Sequence, residues 1–317
     1  MGRFDELRMM VRVARMYYEH GMSQSKIARE LSLSQATISR LLQRSLSEEI
    51  VRISINVPQG IYARLEEELI ERYGLVDAIV VDSLGEDNEQ IINRDIGSAG
   101  AYYVESILKQ NDIVGISSWS SALLSMVDSM QKITTKNNIK VVQILGGIGN
   151  PGAEVHANRM TTRFADLVNG EAVFLPAPGV VGSPETLEVF YKDQYVKTAM
   201  DLFEKVTIAL VGIGAVEPSP LVSQSGNIFS REDLNSLRDS GAVGDILMHY
   251  FDGQGKRTET FLDNRVASMS LQQLRKTKRS IGVAGGPRKV DAIRGALIGK
   301  WVNVLITDQH TAARLMQ

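Results

Sequence analysis

The chain has 317 residues, 44% hydrophobic and 23% charged, with a formal net charge of −2, which excludes a disordered or fibrous polymer and leaves room for more than one globular domain. It has no cysteine and only four scattered histidines, His20, His156, His249 and His310, so disulfides, thiol chemistry and a cysteine or HExxH metal site are excluded, and neither metal nor cofactor is expected. No apolar run approaches the ~20 residues that cross a bilayer, and the opening MGRFDELRMMVRV places acids where a signal peptide is apolar; a cytoplasmic location without a membrane partner is expected.

Charge divides unevenly along the chain. Nine basic and six acidic residues up to Pro58 give +3 and leave −5 for the rest, as in a nucleic-acid module fused to an acidic body. Helical spacing of Leu7, Met10, Val11, Ala14 and Tyr17 or Tyr18 predicts a helix from about Asp5 to Glu19, ended by Gly21. Ser23 is a good N-cap for a second helix with Ile27, Ala28 and Leu31 on its apolar face. After the LSLS turn Ser34 caps a third, QATISRLLQR, which turns Ile38, Leu41 and Leu42 inward and polar residues outward. Two short helices joined by a tight turn, the second with a polar and basic face, form a helix-turn-helix. Its second helix fits a major groove, with Gln35, Thr37 and Ser39 at base edges, Arg40 and Arg44 at guanine or phosphate, the helix start at Ser34 near phosphate, and Tyr17 and Gln24 clamping the backbone. The alternative is a three-helix packing unit with a solvated polar face. IVRISIN then reads as a strand, a wing in form, and NVPQG as a hinge. The expected division is residues 1–56 for DNA and 57–317 for effector binding and oligomerisation.

Beyond the hinge, IYARLEEELIERYG is an amphipathic helix with Ile61, Leu65, Leu69 and Tyr73 on one stripe. Apolar runs then alternate with helical segments: DAIVV, DIVGIS, KVVQILGG, EAVFLPAP, TIALVGIG, DILMHYF, SIGVAGG and VNVLITD. Strands apolar on both sides and separated by helices predict an α/β, doubly wound, mostly parallel sheet. Ligands bind such sheets beyond the carboxyl ends of the strands. There GISSWSSALL offers hydroxyls at Ser117, Ser118, Ser120 and Ser121 beside a helix start, ILGGIG and VGIG offer close-approach glycines, and AGGPRK offers Gly285, Gly286 and Lys289. Each has a structural counterpart: serines that only cap, and a lysine at the surface. Asp245 inside GAVGDILMHYF either lies near the strand start in water or reads sugar hydroxyls. His156 is a lone helical histidine. Neither VGIGAVEP nor AGGPRK fits GxGxxG or GxxxxGK[ST], which points away from nucleotides towards a small metabolite phosphate as the bound anion.

From YYEHGMSQSKIARELSLSQATISRLLQR through GISSWSSAL, QILGGIG, the HAN of EVHANRM, FLPAPG, VGIGAV, AGGPRKVDAIRGAL and VNVLITDQHTA, the chain resembles the SorC family of bacterial sugar-responsive transcription regulators. The resemblance runs end to end. It implies a helix-turn-helix joined to a domain resembling sugar-phosphate isomerases, a homodimer or homotetramer, and a sugar, polyol or sugar phosphate that alters the grip on palindromic operator DNA. It also implies a phosphate-contacting turn at Ser120 and Ser121, hydroxyl contacts from Asp245 and a ligand contact from Lys289. SSWSS stands where glycine and threonine are frequent, and His156 where glutamine occurs. Trp119 offers a face on which an unphosphorylated ring stacks, so the effector's phosphate is left open. The competing function is a sugar-phosphate isomerase-like enzyme with an appended DNA module, using Asp245, Glu217 or His156 as base and Lys289 as an imine-forming amine. No base and acid stand at a recognisable spacing, and the leading expectation is a sensor that does not turn over its ligand.

Overall fold

The computed structural model describes residues 3–52, 58, 60–147, 151–218 and 230–317, with backbone only for residues 3–4 and 151–157. The chain divides into two compact units, Met1–Pro58 and Gln59–Gln317.

In the first unit, α1 (Arg3–Ala14) runs into a π-helical turn at Arg15–Glu19, and Gly21 at φ 63° ends it. Ser23 accepts the Lys26 N–H at the start of α2 (Gln24–Glu30), and Ser34 accepts the Thr37 N–H at the start of α3 (Gln35–Ser47); each cap satisfies an orphan donor and contributes about 1 kcal/mol. Met10, Val13, Met16, Ile27, Ile38, Leu41 and Leu42 form the core. Val13 takes the inward place expected of Val11, which is 43% exposed, because the helix phase set by Met10 and Ala14 leaves Val11 outside. The expected strand IVRISIN is not formed over Ile50–Arg52, where the chain turns, and its remainder lies outside the described residues, as does most of the hinge.

The second unit begins with α4 (Ala63–Tyr73), closed by Gly74 at φ 67°. A seven-stranded, wholly parallel sheet follows, in the order β1-β10-β9-β5-β2-β3-β4. Its strands are β1 (Asp77–Val81), β2 (Ile113–Ile116), β3 (Ile139–Gln143), β4 (Gly170–Val173), β5 (Ile208–Val211), β9 (Arg279–Val283) and β10 (Val304–Asp308). Alternation with period two separates two cores. Ile208 and Leu210 of β5 join the layer of α5 (Glu89–Ile107), α6 (Ser121–Ser129) and α7 (Pro151–Leu167), while Ala209 and Val211 join the other face. That face carries α4, α8 (Pro184–Lys192), α9 (Gln194–Met200) and the helix Val290–Ile298. Each buried Ile, Leu or Val contributes about 1.5–3 kcal/mol, so both faces hold the sheet in place.

From β2 the chain moves outward to β3 and β4, then returns to β5 beside β2 and proceeds the other way through β9 and β10. Since parallel crossovers keep one hand, opposite directions place their helices on opposite faces. The reversal between β2 and β5 is a topological switch point, where the turns leaving two adjacent strands diverge and open a crevice.

DILMHYF is not one strand of this sheet. It divides between β7 (Ala242–Ile246) and β8 (His249–Asp252), which form an antiparallel sheet with β6 (Gly214–Ala215). Leu247 and Met248, at φ 55° and 63°, make the turn between them. Two successive positive φ values are those of the tight hairpin turn usually written Asn-Gly; with Leu-Met there, the sequence reads as an uninterrupted strand.

Candidate functional site

The switch point carries a cleft with about 790 Å³ of empty space, part of it open to solvent. Ser117, Trp119, Ser120 and Ser121 line one wall, Gly212–Pro218 a second, and Asp245, Leu247, Met248 and Tyr250 of the hairpin a third; Arg288 and Lys289 come from the turn after β9, and Glu89 and Asn93 from the start of α5. Residues from positions 89 to 289 thus meet because four turns end at the same edge of the sheet.

The β2 turn is built for proximity. Ser120 caps α6, its hydroxyl accepting the Leu123 N–H at 3.3 Å, while Ser117 N–H donates to the Leu210 carbonyl. A Cβ on Gly212 would lie 2.7 Å from Ser120 Oγ, and one on Gly214 2.2 Å from Asp245 Oδ1. Those glycines let the two turns approach. Ser121 remains at the first position of α6, where helix N–H groups favour an acceptor. Trp119 is only 8% exposed and belongs to the core, so its ring is a packed wall of the cleft and not an open stacking platform.

Asp245 stands fourth of five residues in β7 and not at the strand start in water. Its Oδ2 accepts the Met248 N–H at 3.1 Å and so pins the strained turn. Burial pushes its carboxyl up to about 6, against the Met248 hydrogen bond and the Lys289 charge. Lys289 is the N-cap residue of the helix Val290–Ile298, following a short 3-10 turn. Burial lowers its pKa, opposed by Glu89 and Asp245 and aided by Arg288. Among the described residues its ammonium makes no hydrogen bond. A desolvated ammonium facing an acid of raised pKa is arranged to exchange hydrogen bonds with a polyhydroxylated ligand.

Gly285 and Gly286 do not line the cleft, contrary to the expectation of a ligand-binding turn. The Gly286 N–H, at φ 98°, donates to buried Asp308 Oδ2 at 3.0 Å and to Thr311 Oγ1 at 2.7 Å. A Cβ on Gly285 would stand 2.4 Å from that carboxylate. The acceptor for this turn's N–H is therefore an internal aspartate. His156 lies within α7, and its side chain is outside the described residues.

Glu89, which no sequence motif singles out, also lines the cleft. Arg288 donates Nε and Nη2 to both oxygens of Glu89, at 2.7 and 3.3 Å, and Nη1 to the Glu217 carbonyl. The Glu217 carboxylate binds Arg238, which holds its pKa down. Glu89 was legible only as an acid in the first turn of a helix, and nothing in its neighbourhood connects it to position 288.

In the N-terminal unit Gln35 and Arg40 are exposed and Tyr17, Gln24, Thr37 and Ser39 half-buried. Ser34 and Thr37 hydroxyls meet at 2.8 Å, and Gln35 accepts at most a long 3.5 Å bond from Ser25. Tyr17 packs edge-on to Tyr18, with ring centres 5.0 Å apart. Arg44 differs from its expected outward role: its guanidinium binds Glu48 one helical turn away and Glu6 of α1, because positions 44 and 48 share a helix face. It staples α1 to α3, leaving Arg40 as the cation of α3 with no carboxylate partner among the described residues.

Residues 59–317 match the family Sugar-bind, a sugar-binding domain. Over 312 residues the chain is 34% identical to the deoxyribonucleoside regulator of Bacillus subtilis (strain 168), covering 98% of each protein. It is 32% identical over 321 residues to the sorbitol operon regulator of Klebsiella pneumoniae, covering 100% of each. The crystal structure of the full-length sorbitol operon regulator SorC from K. pneumoniae superposes with a TM-score of 0.74 at 30% identity, over 99% of this chain and 100% of that one.

Proposed function

The chain belongs to the SorC family of bacterial transcriptional regulators, and from that premise we propose that it binds an operator of a carbohydrate-utilisation operon under the control of a sugar, polyol or sugar phosphate held in the switch-point cleft. The observation that carries the reading is the Asp245–Lys289 pair facing into that cleft, in a chain that also presents the capped helix α3 with an exposed polar face. In this reading Asp245 accepts from ligand hydroxyls, Lys289 donates to them, and Ser121 and the α6 N-terminus receive the far end of the ligand. Gln35, Thr37, Ser39 and Arg40 meet base edges and phosphates, with Tyr17, Gln24 and the Ser34 helix start on the backbone. The relatives named above are regulators rather than enzymes, so the raised carboxyl of Asp245 serves recognition and not turnover.

A homodimer or homotetramer places two such helices on half-sites about 34–36 Å apart or a multiple of that, which requires a palindromic operator. A thermal-shift screen of sugars, polyols and their phosphates identifies the effector: at a hundred times its Kd it stabilises the folded protein by about 2.7 kcal/mol. Operator binding steeply salt-dependent and changed by that same compound is the expected result. A screen in which no sugar stabilises the protein, or catalytic conversion of the compound followed by NMR, would sink the reading.

A further inference from the structure

Among the described residues the cleft is lined by three carboxylates, Glu89, Glu217 and Asp245, and two cations, Arg288 and Lys289. These charges are not evenly available. Arg288 presents its guanidinium to both oxygens of Glu89, the two-bond geometry in which an arginine otherwise grips phosphate. Its remaining Nη1 reaches the Glu217 carbonyl. The Glu217 carboxylate is itself taken by Arg238, and the charge of Glu89 acts on Lys289 more strongly than that of Asp245. Arg288 thus answers to Glu89, and a phosphate that is to use its guanidinium has to take it from that carboxylate.

We propose that Glu89 is a specificity-determining residue: by occupying Arg288 from within the cleft it sets the site against phosphorylated ligands and in favour of uncharged sugars or polyols. This rests on the cleft being the effector site, as proposed above. Asn93, one helical turn further along α5, lines the same wall with a neutral amide suited to hydroxyls. The ion pair is about one-third exposed on both sides, so its weight lies in selectivity and only slightly in folding.

The test measures inorganic phosphate binding to the full chain by isothermal titration calorimetry. Glu89→Gln keeps the shape of the side chain and frees Arg288; it is expected to bind phosphate at least about tenfold more tightly than wild type, as one carboxylate removed from the neighbourhood of an anion implies. Glu89→Ala, which shares no new hydrogen bond with Arg288, is expected to show the same direction. The double variant Glu89→Gln/Arg288→Gln returns to wild-type affinity. Glu86→Gln, the same charge change at an exposed residue paired with Arg314 outside the cleft, leaves phosphate binding unchanged. Equal phosphate affinity in wild type and both Glu89 variants, or an equal gain from Glu86→Gln, overturns the assignment. Operator binding is measured on the same samples: its absence contradicts the regulator reading and leaves the phosphate result to stand or fall alone.

Discussion

The outward face of α3 and the cleft of the second unit share serines and basic side chains and use them in opposite ways. On α3, Gln35 and Arg40 stand in solvent with few internal partners, Arg40 Nε making only a long 3.4 Å bond to Ala36 O. In the cleft, Asp245 and Lys289 are desolvated enough to move each other's protonation, and Arg288 and Glu217 are held by carboxylate and guanidinium partners. Exposed charges interact weakly and are screened by salt, whereas buried ones interact strongly and respond to pH. The first surface is suited to a large polyanion met in water, and the second to a small neutral or weakly charged molecule met after water has left.

The contrast is sharpest in pH dependence, where the hairpin carries two groups of opposite sign. Asp245 is protonated more readily folded than unfolded, 3.8 rising to about 6; its contribution to stability is therefore present below pH 3.8 and lost as pH rises through 6, about 3 kcal/mol in all. His249, across the turn and bonded to Ser268 Oγ at 2.9 Å, is lowered by burial from 6.5 to about 4. Its contribution is present above pH 6.5 and lost as pH falls through 4, also about 3 kcal/mol. Thermal melts between pH 4.5 and 6 are expected to be nearly flat for wild type, to rise with pH for Asp245→Asn and to fall with pH for His249→Gln. Asp245→Asn, which keeps an acceptor for the Met248 N–H, is also more stable than wild type at pH 7.5. Slopes of the same sign in the two variants would contradict the assignment.

Next in size, Lys289→Met lowers effector affinity about 100-fold by removing a half-buried charged donor, while operator affinity without effector stays within about twofold; calorimetry and fluorescence anisotropy read the two halves. Arg40→Ala weakens operator binding by about 1–3 kcal/mol and leaves effector affinity unchanged. The smallest effect belongs to Arg44→Ala: with its guanidinium already on Glu6 and Glu48, the slope of log affinity against log salt remains that of wild type, whereas Arg40→Ala lowers it by about one.

The same contrast decides what the sequence shows and what it hides. Ser23 and Ser34 as caps, and seven of the eight apolar runs, are local patterns that predict elements where they are observed, because capping and alternation act over a few residues. Ser117, Trp119, Ser120, Ser121 and Lys289 are legible as cleft-lining residues because turns that follow strands carry them. What stays hidden depends on distant partners. Leu247–Met248 adopts its turn since Asp245 binds Met248 N–H and Ser268 Oγ binds the Leu247 carbonyl, and neither bond leaves a mark in LM. Glu89 and Arg288 lie 199 positions apart, and Asp308 claims the glycines at 285 and 286 from another strand.

The most direct measurement is the anisotropy titration of the full chain against a palindromic fragment from upstream of its own operon, with and without the effector found by thermal shift, for wild type and Lys289→Met. Operator affinity that changes about 5–150-fold on saturation in wild type, the range of a 1–3 kcal/mol coupling, and not at all at that concentration in Lys289→Met is the predicted result. An effector that stabilises the protein yet leaves operator affinity unchanged, or acts equally on both proteins, contradicts the account.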